Sequence, residues 1–283
     1  MKLSRSLLTC MVLTLALPLV FPWALPLAFA ADAPDTSQPP TALVTGSDRG
    51  IGLALAQEFT ARGWKVIATC RHPADATQLK AFAASHSSVV METLDVTDNA
   101  AIDALAQKYR GQAIDALVNN AGIGGFSDKT QLAALDPDEF ARFMRINAYA
   151  PLRVAQAFLD NIAASRQKKI VAISSTFGSL TLATRAQQNY FYAMSKSALN
   201  MGMRQLHADV AGRGIIVGIV SPGAVDTDMQ KELRAYAAQR GAPIATPTLT
   251  PAESAKSLVN YIESLSAEQS GRFFNYKGEE RPW

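Results

Sequence analysis

Residues 42–61 read ALVTGSDRGIGLALAQEFTA. Ala42 to Thr45 is a short apolar, β-branched run, and Ile51 to Ala61 repeats with helical period. The seven residues Gly46 to Gly52 between them therefore form a turn from a strand into a helix. Glycines at such a turn let backbone N–H groups approach a pyrophosphate, which then rests on the positive end of the helix. The spacing is G-x-x-x-G-x-G and not the more familiar G-x-G-x-x-G. Alone it would also suit a plain tight turn; its place between strand and helix favours the phosphate reading.

The same alternation continues outward. Lys65 to Cys70 precedes a helix over Asp75 to Ser85, and Val89 to Val96 one over Asn99 to Tyr109. Ile114 to Asn119 is followed by one long helix over Asp138 to Ser165. Lys169 to Ser174 is followed by a helix from Tyr190 to Ala211. Ile215 to Ser221, a helix over Ala252 to Leu265 and a strand at Arg272 to Tyr276 end the series. Strands separated by helices of this length predict βαβ units and a parallel sheet. Runs such as Ile215 to Val220 are apolar on both faces, as a sheet covered on both sides demands. The expectation is one α/β, doubly wound domain over residues 41–283, with a seven-stranded, mostly parallel sheet and helices on both faces. Residues 224–250, with Pro243, Pro247 and several Thr, read as a long loop placed to cover a substrate.

Composition narrows the function. With 48% hydrophobic and 18% charged residues the chain is neither disordered nor fibrous. The 27 basic residues nearly balance 24 acidic ones, so no basic stripe is expected and no nucleic-acid partner. Three His and two Cys at unrelated spacings predict no metal site.

Residues 1–30 differ from the rest. Lys2 and Arg5 precede an apolar run from Leu7 to Phe29, and Ala28-Phe29-Ala30 has small-x-small character. This predicts a signal peptide cut after Ala30, a linker over 31–40 and a periplasmic or secreted protein. Two alternatives stay open. The run could remain as a membrane anchor, against which Pro18, Pro22 and Pro26 argue, or the start could be placed too far upstream and the product be cytoplasmic. A membrane partner follows only if the segment is uncleaved. Cys70 alone lies beyond it, so no internal disulfide forms in the processed chain.

Tyr192 and Lys196 stand four apart in the second long helix and so share a face. A nearby ammonium favours phenolate over phenol, which makes Tyr192 a candidate general acid and base. An isolated Y-x-x-x-K would more often be an ordinary surface pair. Tyr190, with no Lys at that spacing, reads as a packing residue. Ser174-Ser175 closes a strand at its carboxyl end, where such sheets bind ligands.

Together, Thr45 to Gly52 (TGSDRGIG), Asn119 to Gly122 (NNAG), Asn147, Ser175, Tyr192 with Lys196, and Pro222-Gly223 with Thr227 resemble the short-chain dehydrogenase/reductase family. Ala68 to Arg71, Tyr192 to Asn200 (YAMSKSALN) and Trp283 resemble its C-factor and carbonyl-reductase-like branch. The resemblance implies a Rossmann fold and interconversion of a small carbonyl compound and an alcohol by hydride transfer with NADP(H). It implies Tyr192 as proton donor, Lys196 as the group that tunes it and holds the ribose, Ser175 as the carbonyl-orienting hydroxyl, and Asn147 in a proton relay. Gly46, Gly50, Ile51 and Gly52 would line the pyrophosphate, with Asp48 and Arg49 in the same turn. Asp95 and Val96 would meet the adenine, Asn119, Ala121 and Gly122 the ribose side, and Thr227 the carboxamide beside Pro222, Gly223 and Val225. A homodimer or homotetramer through the two long helices is implied in the same way. The branch is also associated with signalling, so a non-catalytic dinucleotide-binding signalling protein is the alternative.

The family usually spaces its serine thirteen residues before the tyrosine, but Ser175 to Tyr192 is seventeen. Ser179 would restore thirteen, yet it lies past the strand end. Ser175 is retained, with an insertion over Thr181 to Asn189. The second strand ends at Cys70 with Arg71 next and no acid until Asp75. A carboxylate there would select NAD(H); Arg71, with Arg49 in the glycine turn, instead suits a 2′-phosphate and NADP(H). The plainer reading has Arg71 solvating a strand end and Arg49 paired with Asp48.

Overall fold

The computed structural model describes residues 38–182, 189–241 and 243–283. The expected signal peptide, most of the linker and most of the 181–189 insertion lie outside these residues.

The described residues form seven strands and eight α-helices: β1 (Thr41–Val44), α1 (Gly50–Ala61), β2 (Lys65–Cys70), α2 (Thr77–Ser85), β3 (Val89–Thr93), α3 (Asn99–Lys108) and β4 (Ala116–Asn119). Next come α4 (Pro137–Met144), α5 (Ala150–Ala163), β5 (Lys169–Ile173), α6 (Tyr190–Val210), β6 (Ile216–Ser221), α7 (Asp228–Gln239), α8 (Pro251–Ser264) and β7 (Phe273–Asn275). All strands pair in parallel, in the order β3-β2-β1-β4-β5-β6-β7. Alternation along each strand sends side chains to opposite faces. Ala42 and Val44 pack with α1 and α8, while Leu43 packs with α3, α5 and α6. Caps set most helix starts: Asp98, Asp136, Asn189 and Thr227 each accept from first-turn N–H groups, and Thr250 and Glu253 cap α8 reciprocally.

Two expectations are corrected. The helix expected over Asp138 to Ser165 is two, α4 and α5, joined by a π-helical turn over Arg145–Tyr149. The apolar period runs through the joint, so periodicity does not reveal it. The expected loop over 224–250 contains α7, which starts where the Thr227 hydroxyl accepts from Gln230 N–H.

Candidate active site

Six of the expected segments follow the carboxyl end of a strand: Gly46 after β1, Arg71 after β2, Asp95 after β3, Gly122 after β4, Ser175 after β5 and Pro222 after β6. The strand order reverses between β1 and β4, where a crevice opens in such sheets. Thr45 and Asn120 stitch the two strand ends together there. Thr45 Oγ1 accepts from the N–H groups of Asn120 and Ala121, both at 3.0 Å, and Asn120 Nδ2 donates to the carbonyls of Thr45 (2.9 Å) and Gly46 (3.0 Å). Asn119, one residue earlier, points the other way and donates to Pro151 O at 3.3 Å. Its side chain is therefore not on the crevice, a correction that strand alternation explains.

The glycine turn leaves no room for substitution. Gly46 has φ +67°, and a Cβ on Gly52 would stand 1.9 Å from the Gly46 carbonyl oxygen. Helix α1 begins at Gly50 with no side-chain cap on its first N–H groups and no acid in its first turn. Gly50, Ile51 and Gly52 thus hold open donors at a positive helix end, the arrangement that receives a phosphate. Asp48, half-buried in this turn, joins burial in pushing the Cys70 thiol up.

At the end of β2, Arg71 is exposed and makes no ion pair among the described residues. Burial works against the charge on Asp95. Two Thr97 hydrogen bonds at 2.8 Å, with Arg71 and His72 nearby, nevertheless hold its carboxyl below the usual range. Val96 turns into the core. Arg49 does not pair with Asp48: its Nε stands 3.9 Å from Asp228 Oδ2, at the start of α7. The Thr227 methyl packs toward Gly50, and its hydroxyl donates to Val225 O at 3.3 Å. Val225 bridges to Leu249, Pro222 O accepts from Ser254, and Gly223 abuts Tyr276.

The reactive cluster is carried by α6 and the π-helical turn. Asn147, buried in that turn, binds the backbone of Ile123 from both ends of its amide (2.9 and 3.0 Å) and donates to Ser195 Oγ at 3.0 Å. Asn189 caps α6 through the Tyr192 N–H at 2.9 Å and reaches Gly124 O at 2.9 Å, fixing the helix start against the loop after β4. Lys196 Nζ lies 5.8 Å from the centre of the Tyr192 ring, and burial pulls its ammonium down to about 8. Burial also pushes the Tyr192 phenol up, and the Ser175 hydroxyl, hydrogen-bonded to it, works in the opposite direction. The ammonium was expected to lower the phenol; burial raises it instead, and Ser175 is the group that opposes the rise. Phe177 stands edge-on to Tyr192 at 5.9 Å, and Phe126 is 6.3 Å away. A Cβ on Gly122 would lie 3.2 Å from Asn147 Oδ1 and 3.8 Å from Lys196 Nζ, so this glycine keeps open the ground between them.

Ser175, Tyr192, Lys196 and Asn147 thus come together, and Ser179 does not join them. Its buried hydroxyl donates to Pro282 O at 2.8 Å and accepts from Leu182 N–H. Tyr190 is half exposed and not a packing residue, because it falls on the outer side of α6. Sequence reading included Asn120 in the NNAG motif but not its ties to Thr45 and Gly46, and it missed Asn189 and Ser195. An Asn directly before a helical run is a capping signal that identifies Asn189; nothing comparable marks Ser195.

The pattern described as short chain dehydrogenase matches residues 40–238. An uncharacterized oxidoreductase of Schizosaccharomyces pombe is 33% identical over 83% of this chain and 94% of its own. The C-signal protein of Myxococcus xanthus is 36% identical over 60% of this chain and 93% of its own. Among solved structures, the NADPH-bound carbonyl reductase from chicken fatty liver superposes with a TM-score of 0.77 at 30% identity, covering 87% of this chain and all of that one. With that match over most of its length, on this fold and this crevice, the chain belongs to the short-chain dehydrogenase/reductase family, in its carbonyl-reductase-like branch.

Proposed function

We propose that the protein interconverts a small carbonyl compound and its alcohol, using NADP(H). The supporting observation is the convergence of Ser175, Tyr192, Lys196 and Asn147 beside the uncapped start of α1. The bound nicotinamide would deliver or accept hydride at the substrate carbon. Gly50, Ile51 and Gly52 would hold the cofactor's pyrophosphate, and Arg71, which makes no ion pair among the described residues, would hold its 2′-phosphate. In reduction, Tyr192 donates its phenolic proton to the carbonyl oxygen. Burial keeps that phenol protonated, and the Ser175 hydroxyl stabilises the negative charge that develops on both oxygens. Lys196, 5.8 Å from the centre of the Tyr192 ring, resupplies that proton and is itself reprotonated from solvent. Asn147 holds Ile123 in place, and with it the open ground beside Lys196.

A pure binder would have no need of this cluster. Turnover of a panel of aldehydes and ketones with NADPH, with Tyr192→Phe as control, tests the reading. The variant should lose about 10²–10⁴-fold in kcat, the usual worth of a positioned acid, while still binding NADPH. A wild-type protein that binds NADPH but reduces no carbonyl contradicts it. Assembly as a homodimer or homotetramer through α5 and α6, and export after removal of residues 1–30, belong to the same proposal.

A further inference from the structure

Residues 281–283 reach back to the turn that follows Ser175. After β7 the backbone reverses, with Phe274 bridging antiparallel to Glu280 and Arg281 N–H donating to Phe273 O at 2.8 Å. Trp283 then stacks on Phe273, ring centres 5.9 Å apart and planes 23° from parallel, with the Arg204 guanidinium of α6 5.2 Å from its centre. From that anchor two carbonyls bind a segment about a hundred residues earlier. Pro282 O accepts from Ser179 Oγ at 2.8 Å, and Trp283 O accepts from Thr181 N–H at 2.7 Å.

Ser179 and Thr181 continue the turn that starts at Ser175. On its other side this turn is fastened to α6: Ser197 Oγ and Asn200 Nδ2 donate to Gly178 O at 3.0 and 3.2 Å. Within it, Phe177 faces Tyr192. The segment has little apolar anchorage of its own, since Leu180 is 77% exposed. The Ser179 hydroxyl, by contrast, is buried, so an unmade bond to Pro282 would leave a costly orphan.

We propose that residues 281–283 form a strap that positions the Ser175–Leu182 wall of the carbonyl site and so sets which carbonyl compounds fit it. The inference rests on the function proposed above. Its named contacts are to β7, α6 and residues 179–181, and none reaches the Gly46–Gly52 turn. The strap therefore acts on the carbonyl substrate and not on the cofactor.

The experiment compares wild type, Trp283→Ala, Trp283→Phe and Ser179→Ala. It measures KM and kcat for a small aldehyde and a bulky aryl ketone, Kd for NADPH, and Tm. In Trp283→Ala and Ser179→Ala the ratio of the two KM values should change by about tenfold, the scale of one lost buried hydrogen bond, with Kd for NADPH held. Trp283→Phe, which keeps the stacking ring, should restore the wild-type ratio. An unchanged ratio in Ser179→Ala overturns the proposal even if Trp283→Ala fails to fold. So does a shift of both KM values and Kd in common with Tm, which would mark a general loosening. A wild type inactive on every carbonyl defeats the underlying function, and the strap's role falls with it.

Discussion

The Lys196 ammonium donates to the Ile173 carbonyl at 2.9 Å, fastening the first turns of α6 to the end of β5. Burial brings this group from an ordinary 10.5 to about 8, so between those values the unfolded chain holds the proton and the folded chain does not. The charged form therefore costs stability below about pH 8, and that cost fades as pH rises toward 10.5. Urea unfolding of wild type and Lys196→Met should show wild type gaining on the variant between pH 8 and 10. A constant difference across that range would mean that Lys196 is not depressed.

Gly52 faces the Gly46 carbonyl oxygen and the Asn120 amide so closely that any Cβ forces the turn open. Gly52→Ala should lower stability by about 1–3 kcal/mol, as overpacking commonly does, and weaken NADPH binding more than it weakens the fold. Thermal unfolding with and without NADPH measures both. A variant whose Tm still rises with NADPH as the wild type's does would contradict this.

Arg71 makes no ion pair among the described residues, whereas Arg49 stands 3.9 Å from Asp228. Arg71→Ala should shrink the NADPH-over-NADH ratio of kcat/KM by about 1.5–3 kcal/mol, the worth of a hydrogen bond to a charged group. Arg49→Ala should shrink it less. A wild-type preference for NADH would end the assignment of NADP(H).

For the amino terminus, intact-mass analysis of protein from its native cells should find Ala31 first. A chain beginning at Met1 or Lys2 would argue instead for a retained anchor or a product that never leaves the cytoplasm.

The sheet could be read from the sequence because most strands are short, largely apolar runs and most of the helices between them keep their period. The glycine turn and the Tyr192/Lys196 pair were legible for a similar reason: spacing fixes which residues share a turn or a helix face. What spacing cannot carry is direction. Asn119 and Asn120 are adjacent identical residues, and only the strand's alternation decides that the second meets the glycine turn. Ser175 and Ser179 differ by one helical repeat. The choice between them depends on where β5 ends and on an acceptor at Pro282, a hundred residues away. Helix α7 was hidden because Pro243 and Pro247 lie just beyond it and made the whole stretch look irregular.

The parallel order of the sheet also dictates when the molecule can be completed. Strand β1 exposes an unpaired edge until β4 emerges from the ribosome, since Ala42 pairs with Ala116. At ordinary synthesis rates of about 5–20 residues per second that edge waits roughly 4–15 s. Among the described residues no strand has a sheet neighbour it can pair with through a short hairpin, so sheet assembly is slow and non-local. The half-sheet β1–β2–β3 holds the phosphate turn, but the carbonyl wall gains its last acceptors only with Pro282 and Trp283. Nascent chains should therefore acquire a nucleotide site well before they acquire a substrate site.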